Sequence, residues 1–139
     1  MSDVTYSIRE VSEQSGWSIH MLRYYEKEGL LLPVARDENG YRCYTQRDIN
    51  LIHFLNRLRT TGMPISQMRV YMQLLQKREY DPTYILPELI KLLKDHRELV
   101  LAHLEELQLN LEAIEYKINL YETELEGFTQ HGKPETARS

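Results

Sequence analysis

The residues best suited to chemistry lie in Ser18-Ile19-His20-Met21-Leu22-Arg23-Tyr24-Tyr25-Glu26, followed by Gly29-Leu30-Leu31 and then Gly40-Tyr41-Arg42-Cys43-Tyr44. A guanidinium such as that of Arg23 can form a bidentate pair with a guanine edge or a phosphate, and neighbouring tyrosines offer rings and hydroxyls to sugar, base methyl or phosphate. The run therefore has the makings of a DNA-reading helix with a basic, aromatic wing. A purely structural reading stands beside it, in which Met21, Leu22 and Tyr25 fall at helical spacing and face a core while Arg23 and Glu26 are solvated.

No other cluster suggests catalysis. The histidines at 20, 53, 96, 103 and 131 are scattered, no activated-nucleophile motif occurs, and glycine is too sparse for a phosphate-cradling loop. An enzyme is not expected, and neither a metal nor another cofactor. His96 and His103 stand two helical turns apart, too far to share a metal unaided, and both are expected on a solvated flank. The single cysteine, Cys43, cannot form an intramolecular disulfide. It reads as a small hydrophobe packed under a hairpin, or as a redox-active thiol whose modification would disturb a DNA contact.

The chain has 139 residues, 42% hydrophobic and 27% charged, enough for one modest domain and an extension. Its start, Met1-Ser2-Asp3-Val4, lacks the form of a signal peptide, and no run of 18 apolar residues appears, so a cytoplasmic protein without a membrane partner is expected. The net charge of −4 conceals an asymmetry: residues 1–78 hold 11 Lys and Arg against 8 Asp and Glu, net +3, whereas residues 79–139 hold 6 against 13, net −7. The basic half carries the Arg23 run, and the acidic half is the poorer candidate for DNA.

The elements that would position these residues follow from local signals. Ser7-Ile8-Arg9-Glu10 has the form of a capping box and predicts a helix from Ile8 to Gln14. Gly16 suits a left-handed turn, and Ser18 can cap a second helix reaching Glu28. Two helices joined by a short glycine turn form a helix-turn-helix, here about 8–27. Leu30 to Leu32 and Tyr41 to Tyr44 read as two extended arms of a wing around Asp37-Glu38-Asn39-Gly40. Thr45-Gln46-Arg47-Asp48 can cap a third helix, with Ile49, Ile52, Leu55 and Leu58 inward. Pro64 and Ser66 start a fourth through Met68, Met72 and Leu75. Tyr71, Tyr80 and Tyr84 are expected to pack between this helix and the next, and to edge a small-molecule site if there is one.

Asp81-Pro82 opens a last helix of roughly 45 residues, to about Glu126. Along it Leu86, Ile90, Leu93, Arg97, Val100, Leu104, Leu107, Leu111, Ile114, Ile118, Tyr121 and Leu125 recur in alternating four- and three-residue steps, a coiled-coil seam. Fewer than 80 preceding residues cannot cover it, so the simplest partner is the same helix of a second copy. Parallel and antiparallel pairing both fit the sequence, and Arg97 either sets register through an acidic partner or snorkels to water. The expected chain is mainly α, with a winged helix-turn-helix domain at 5–78, a coiled-coil dimerisation helix at 81–126 and a disordered tail at 127–139.

The order of these motifs resembles the mercury-resistance-type (MerR) family of bacterial transcription regulators. The resemblance rests on Tyr6-Ser7-Ile8-Arg9-Glu10-Val11, Leu22-Arg23-Tyr24-Tyr25-Glu26, Gly29-Leu30-Leu31, Asn39-Gly40-Tyr41-Arg42, Tyr44-Thr45, Asp48-Ile49 and Gly62-Met63-Pro64-Ile65. It implies that Arg23 and Tyr24 reach the major groove of double-stranded promoter DNA, that Ser18 and Tyr25 meet adjacent phosphates, and that Tyr41 and Arg42 meet the backbone beside the wing. Arg9, Arg57 and Arg59 are weaker phosphate candidates. It also implies an antiparallel homodimer crossing near Leu104 and Leu107, on a roughly palindromic operator between the promoter hexamers. By bending and untwisting the spacer, such a dimer would act on RNA polymerase indirectly.

The cysteine pair of metal-sensing members and the four-cysteine cluster of superoxide sensors have no counterpart in this sequence, and no appended ligand domain is expected after Leu125. The cysteine that senses electrophiles in some small members is matched by Arg57. An unidentified small-molecule effector is left open. Two other readings are a thiol or electrophile sensor acting through Cys43, and a coiled-coil interaction protein with vestigial DNA binding.

Overall fold

The structure, a computed structural model, describes residues 4–31 and 34–131. Five helices follow one another: α1 (Ile8–Ser15), α2 (Ile19–Lys27), α3 (Gln46–Thr60), α4 (Ile65–Lys77) and α5 (Pro82–His131). Their starts are set by local chemistry. The Ser7 and Thr45 hydroxyls accept from the backbone amides of Glu10 and Asp48, whose carboxylates accept in return from the Ser7 and Thr45 amides. Two complete capping boxes thus satisfy amides that have no partner inside the helix. Ser18 caps α2 by accepting from Met21 N–H, and Gly16, at φ +81°, makes the left-handed turn between α1 and α2.

The chain forms two compact units, one up to His96 and one from Arg97 onward. In the first, α1 packs on α2 and α3, and α3 packs on α4. Val11, Trp17, Leu22, Leu30, Tyr44, Ile49, Ile52, Leu55, Met68 and Met72 are fully buried. Trp17 is the largest of them. Its indole N–H donates to Asn56 Oδ1 at 2.5 Å, its ring meets Tyr25 edge-on at 5.1 Å, and the Arg59 guanidinium lies over it at 5.8 Å. One side chain thereby ties the turn before α2 to the middle of α3.

The wing differs from the sequence expectation. Leu30 and Leu31 are buried in the turn that ends α2 and do not form its first arm, and Leu32 lies outside the described residues. The arms are instead Val34–Asp37 and Tyr41–Tyr44, joined by the Arg36–Arg42 bridge and by Cys43 N–H donating to Ala35 C=O at 2.8 Å. The second arm continues into a bridge between Tyr6 and Tyr44, whose amides and carbonyls exchange bonds of 2.7 and 2.8 Å. Apolar Leu30 and Leu31 gain more by burial than by extension into a solvated hairpin.

Three further expectations are corrected. Of the tyrosines expected between α4 and α5, only Tyr71 is buried, tilted against Phe54 at 5.7 Å; Tyr80 and Tyr84 are exposed. Burial pushes the Tyr71 phenol up, so it stays neutral, and nearby Arg78 opposes part of the rise. His96 is not on a solvated flank: it is 6% exposed, with Nε2 2.8 Å from Thr61 Oγ1. The Thr61 hydroxyl donates to Arg57 C=O at 2.6 Å, so His96 supplies the proton of the shared bond. Finally, α5 continues through Gly127 to His131, because one glycine costs a helix only about 1 kcal/mol relative to alanine. The rest of the expected tail, 132–139, lies outside the described residues.

Within the first unit α5 buries Ile85, Leu89 and His96, and Leu92 and Leu93 pack partly against the core. The seam beside them is therefore partly covered at Leu93, while Leu86 and Ile90 are exposed. In the second unit Val100 is half-buried and Leu104, Leu107, Leu111, Ile114, Ile118, Tyr121 and Leu125 are exposed. Because Trp17 joins the turn before α2 to α3, Trp17→Ala should lower stability by about 3–5 kcal/mol. Urea unfolding followed by circular dichroism measures it, and a loss under about 1 kcal/mol would contradict the role given to this side chain.

Candidate nucleic-acid interface

Helix α2 divides its side chains cleanly. Leu22 and Tyr25 face the core, while His20, Arg23, Tyr24 and Lys27 face outward, with Tyr24 48% exposed. Arg23 heads an open cleft of about 400 Å³ lined by Ser7, Ile8, Arg9, Arg23, Arg36, Gly40, Tyr41 and Arg42. Four guanidiniums and no carboxylate line it. The structure thus brings together four residues singled out in the sequence, Arg9, Arg23, Tyr41 and Arg42, from α1, α2 and the wing.

The wing is braced from within. Asp37 Oδ1 accepts from the amides of Asn39 and Tyr41, both at 2.9 Å, and Arg36 Nη1 donates to Gly40 C=O at 2.9 Å. Gly40 takes φ +83°, which the tight turn requires. Tyr41 is exposed at its tip. Such bracing holds cations at a set spacing, which suits a polyanion whose phosphates repeat regularly.

Arg42 is not a free phosphate ligand. Its Nε donates to Glu26 Oε1, and the two side chains are only 18% and 14% exposed. Among the described residues Arg9, Arg23 and Arg36 make no ion pair. Tyr44, fully buried next to this pair, has its phenol pushed up first by burial and then by the Glu26 carboxylate, with Arg42 opposing. It is a neutral core residue.

Other expected contacts are placed differently. Tyr25 is 8% exposed, its ring held against Trp17, so core packing and not phosphate contact accounts for it. Ser18 spends its acceptor on the helix cap and retains a hydroxyl proton to donate. Arg57 is exposed on α3, outside the cleft. Arg59 is half-buried over Trp17, bonded to Asn56 Oδ1 at 2.8 Å, with its Nε buried and unpartnered. Sequence reasoning missed Arg36 and Ser7. Placing the first arm at 34–37 would have found Arg36, since that register sets it opposite Arg42.

Cys43 is half-buried, and its Sγ has only a weak contact, 3.8 Å from Tyr41 C=O. Among the described residues no cluster of three or more His, Cys, Asp and Glu could hold a metal, and no helix is long and apolar enough to cross a membrane.

Residues 6–75 match the MerR HTH family regulatory protein. The chain belongs to the MerR family. An HTH-type transcriptional regulator of Haemophilus influenzae is 32% identical over 123 residues, covering 86% of this chain and 85% of the relative. Among solved structures, a MerR-family regulator from Listeria monocytogenes is 31% identical with a TM-score of 0.79, covering 91% of this chain and 92% of its own. HiNmlR, described as a MerR family regulator lacking the sensor domain and bound to promoter DNA, is 28% identical with a TM-score of 0.76, covering 94% and 97%. This MerR-family chain is accordingly a helix-turn-helix DNA-binding transcriptional regulator.

Two outcomes follow from the geometry of the cleft, and a third from the placement of Cys43. Arg23→Ala should cost about 1–3 kcal/mol on a specific site and relax the preference at one base pair. Arg36→Ala, which removes an unpaired wing cation, should weaken all sequences alike and make the salt slope shallower by about one unit. Titrations of specific and scrambled duplexes at several salt concentrations separate the two, and identical behaviour would contradict the division. Cys43→Ser should bind DNA and regulate as the natural chain does; loss of a response to electrophiles, with operator affinity intact, would make Cys43 a sensor.

Proposed function

We propose that the chain works as a homodimer on a roughly palindromic promoter element. Arg23 and Tyr24 of each copy enter a major groove. Ser18, Arg9, Arg36 and Tyr41 meet the flanking backbone, and Arg42 acts mainly by holding the wing. Arg57 and Arg59 are left as minor phosphate contacts at most.

The observation that carries this reading is the acid-free cleft of four arginines at the exposed face of α2. HiNmlR, which has a similar fold and is described as bound to promoter DNA, supports the same reading. Dimerisation is supported by the exposed aliphatic seam of α5. Each large aliphatic left in water forgoes about 1.5–3 kcal/mol of burial, and Leu104, Leu107, Leu111, Ile114, Ile118 and Leu125 are all exposed. A two-fold dimer also suits two half-sites of inverted sequence.

The regulatory step we favour is distortion of the promoter spacer, which would act on RNA polymerase through DNA shape. Bending a site costs on the order of 1–6 kcal/mol, within what many phosphate contacts can return. An effector, if one acts, is a small molecule that shifts the dimer between a straight and a bent complex.

Solution mass and footprinting test the proposal together. At micromolar concentration the mass should be that of two chains, and DNA upstream of the protein's own gene should show two protected half-sites on one face of the duplex. A folded monomer would remove the seam argument, and protection without symmetry would remove the dimer from the DNA.

A further inference from the structure

The reading helix itself carries a carboxylate that is bonded to one of the cleft arginines. Glu26 lies on the reading helix three residues after Arg23, and a carboxylate there repels phosphate. It is 14% exposed and fully engaged: Oε1 accepts from Arg42 Nε, and Oε2 accepts from the amide of Val34 at 3.3 Å. Val34 begins the first arm of the wing and Arg42 lies in the second. One carboxylate on α2 therefore holds both arms.

We infer that Glu26 is a positioning residue that clamps the wing to the reading helix, so that the operator is recognised by the spacing between Arg23 and the wing cations. The inference rests on the DNA-binding reading above and adds a determinant of specificity to it. Non-specific binding draws on counterion release and is indifferent to where the wing sits. Specific binding needs base and backbone contacts in register at once, and a wing that must be ordered on binding weakens only that state.

Bracing by Asp37 keeps the hairpin itself intact, since its bonds to Asn39 and Tyr41 do not involve Glu26. What Glu26 controls is where that rigid hairpin stands relative to Arg23. Two substitutions separate charge from geometry. Glu26→Gln removes the charge while keeping side-chain length. Glu26→Asp keeps the charge but is one methylene too short to reach both arms.

The experiment measures dissociation constants of the full chain for a duplex selected from random DNA and for its scrambled counterpart. Amide hydrogen exchange at Val34 is measured in the absence of DNA. Glu26→Asp should reduce discrimination between the duplexes by about tenfold or more, as loss of a charge-assisted bond implies. Its scrambled-duplex affinity should be unchanged, and Val34 exchange should accelerate. Glu26→Gln should bind the scrambled duplex more tightly, because it removes a negative charge, while its discrimination also falls, because an amide nitrogen cannot accept from the Val34 N–H.

A Glu26→Asp chain with natural discrimination overturns the clamp, whether or not Glu26→Gln is impaired. So does a loss of discrimination with Val34 exchange unchanged. If Glu26→Asp weakens both duplexes equally, the residue serves general folding and the inference fails. A natural chain that itself shows no preference between the duplexes would overturn the DNA-binding reading, and the clamp with it; natural discrimination with indifferent variants overturns the clamp alone.

Discussion

A helix of nine residues is too short to persist in water by itself, since isolated helices below about 12–15 residues are marginal. Helix α2 exists because Leu22 and Tyr25 are buried against Trp17 and the α1–α3 core. That burial decides which side of α2 is left for a partner. Arg23 and Tyr24 point outward because their neighbours are held inward. Trp17, bonded to Asn56 and covered by Arg59, carries the same constraint into α3. The core face that the sequence offers at Leu22 and Tyr25 is buried and Arg23 is exposed, but Glu26, expected in solvent beside Arg23, is held by Arg42 and Val34.

Electrostatics then works on a local scale. A chain of net charge −4 is a poor DNA ligand on average, yet the cleft beside α2 presents four arginines and no acid. Fields decay over about 8–10 Å at physiological salt, so the charges that line the cleft count for more than the net charge of the chain. Within the cleft the division of labour is uneven. Among the described residues Arg9, Arg23 and Arg36 make no ion pair, whereas Arg42 is paired with Glu26.

Helix starts were legible because caps are local chemistry: Ser7, Ser18 and Thr45 each act on an amide three residues away. The α3 core face was legible for a similar reason, since Ile49, Ile52, Leu55 and Leu58 repeat with the helix and all four are buried. What stayed hidden lies between residues far apart in sequence. Arg42 and Glu26 are 16 residues apart, Thr61 and His96 are 35, and Trp17 and Asn56 are 39. No periodic pattern announces such pairs. Local pattern alone points Tyr25 to phosphate and His96 to solvent, because the partner that buries each lies outside that pattern. The wing's first arm was displaced because an apolar run, Leu30–Leu32, looks the same whether it extends in a hairpin or is buried in a turn.

On the function proposed above, the outward face of α2 and the wing together read DNA sequence as a two-fold pair. Selection from a random-sequence duplex library by the purified full chain tests it most directly, because it presupposes no promoter. An inverted repeat should be enriched, with the most restricted base pairs lying where the two copies of Arg23 meet the major grooves. Recovery of sequences no more related than the starting pool, or of an enriched motif without two-fold symmetry, would contradict it.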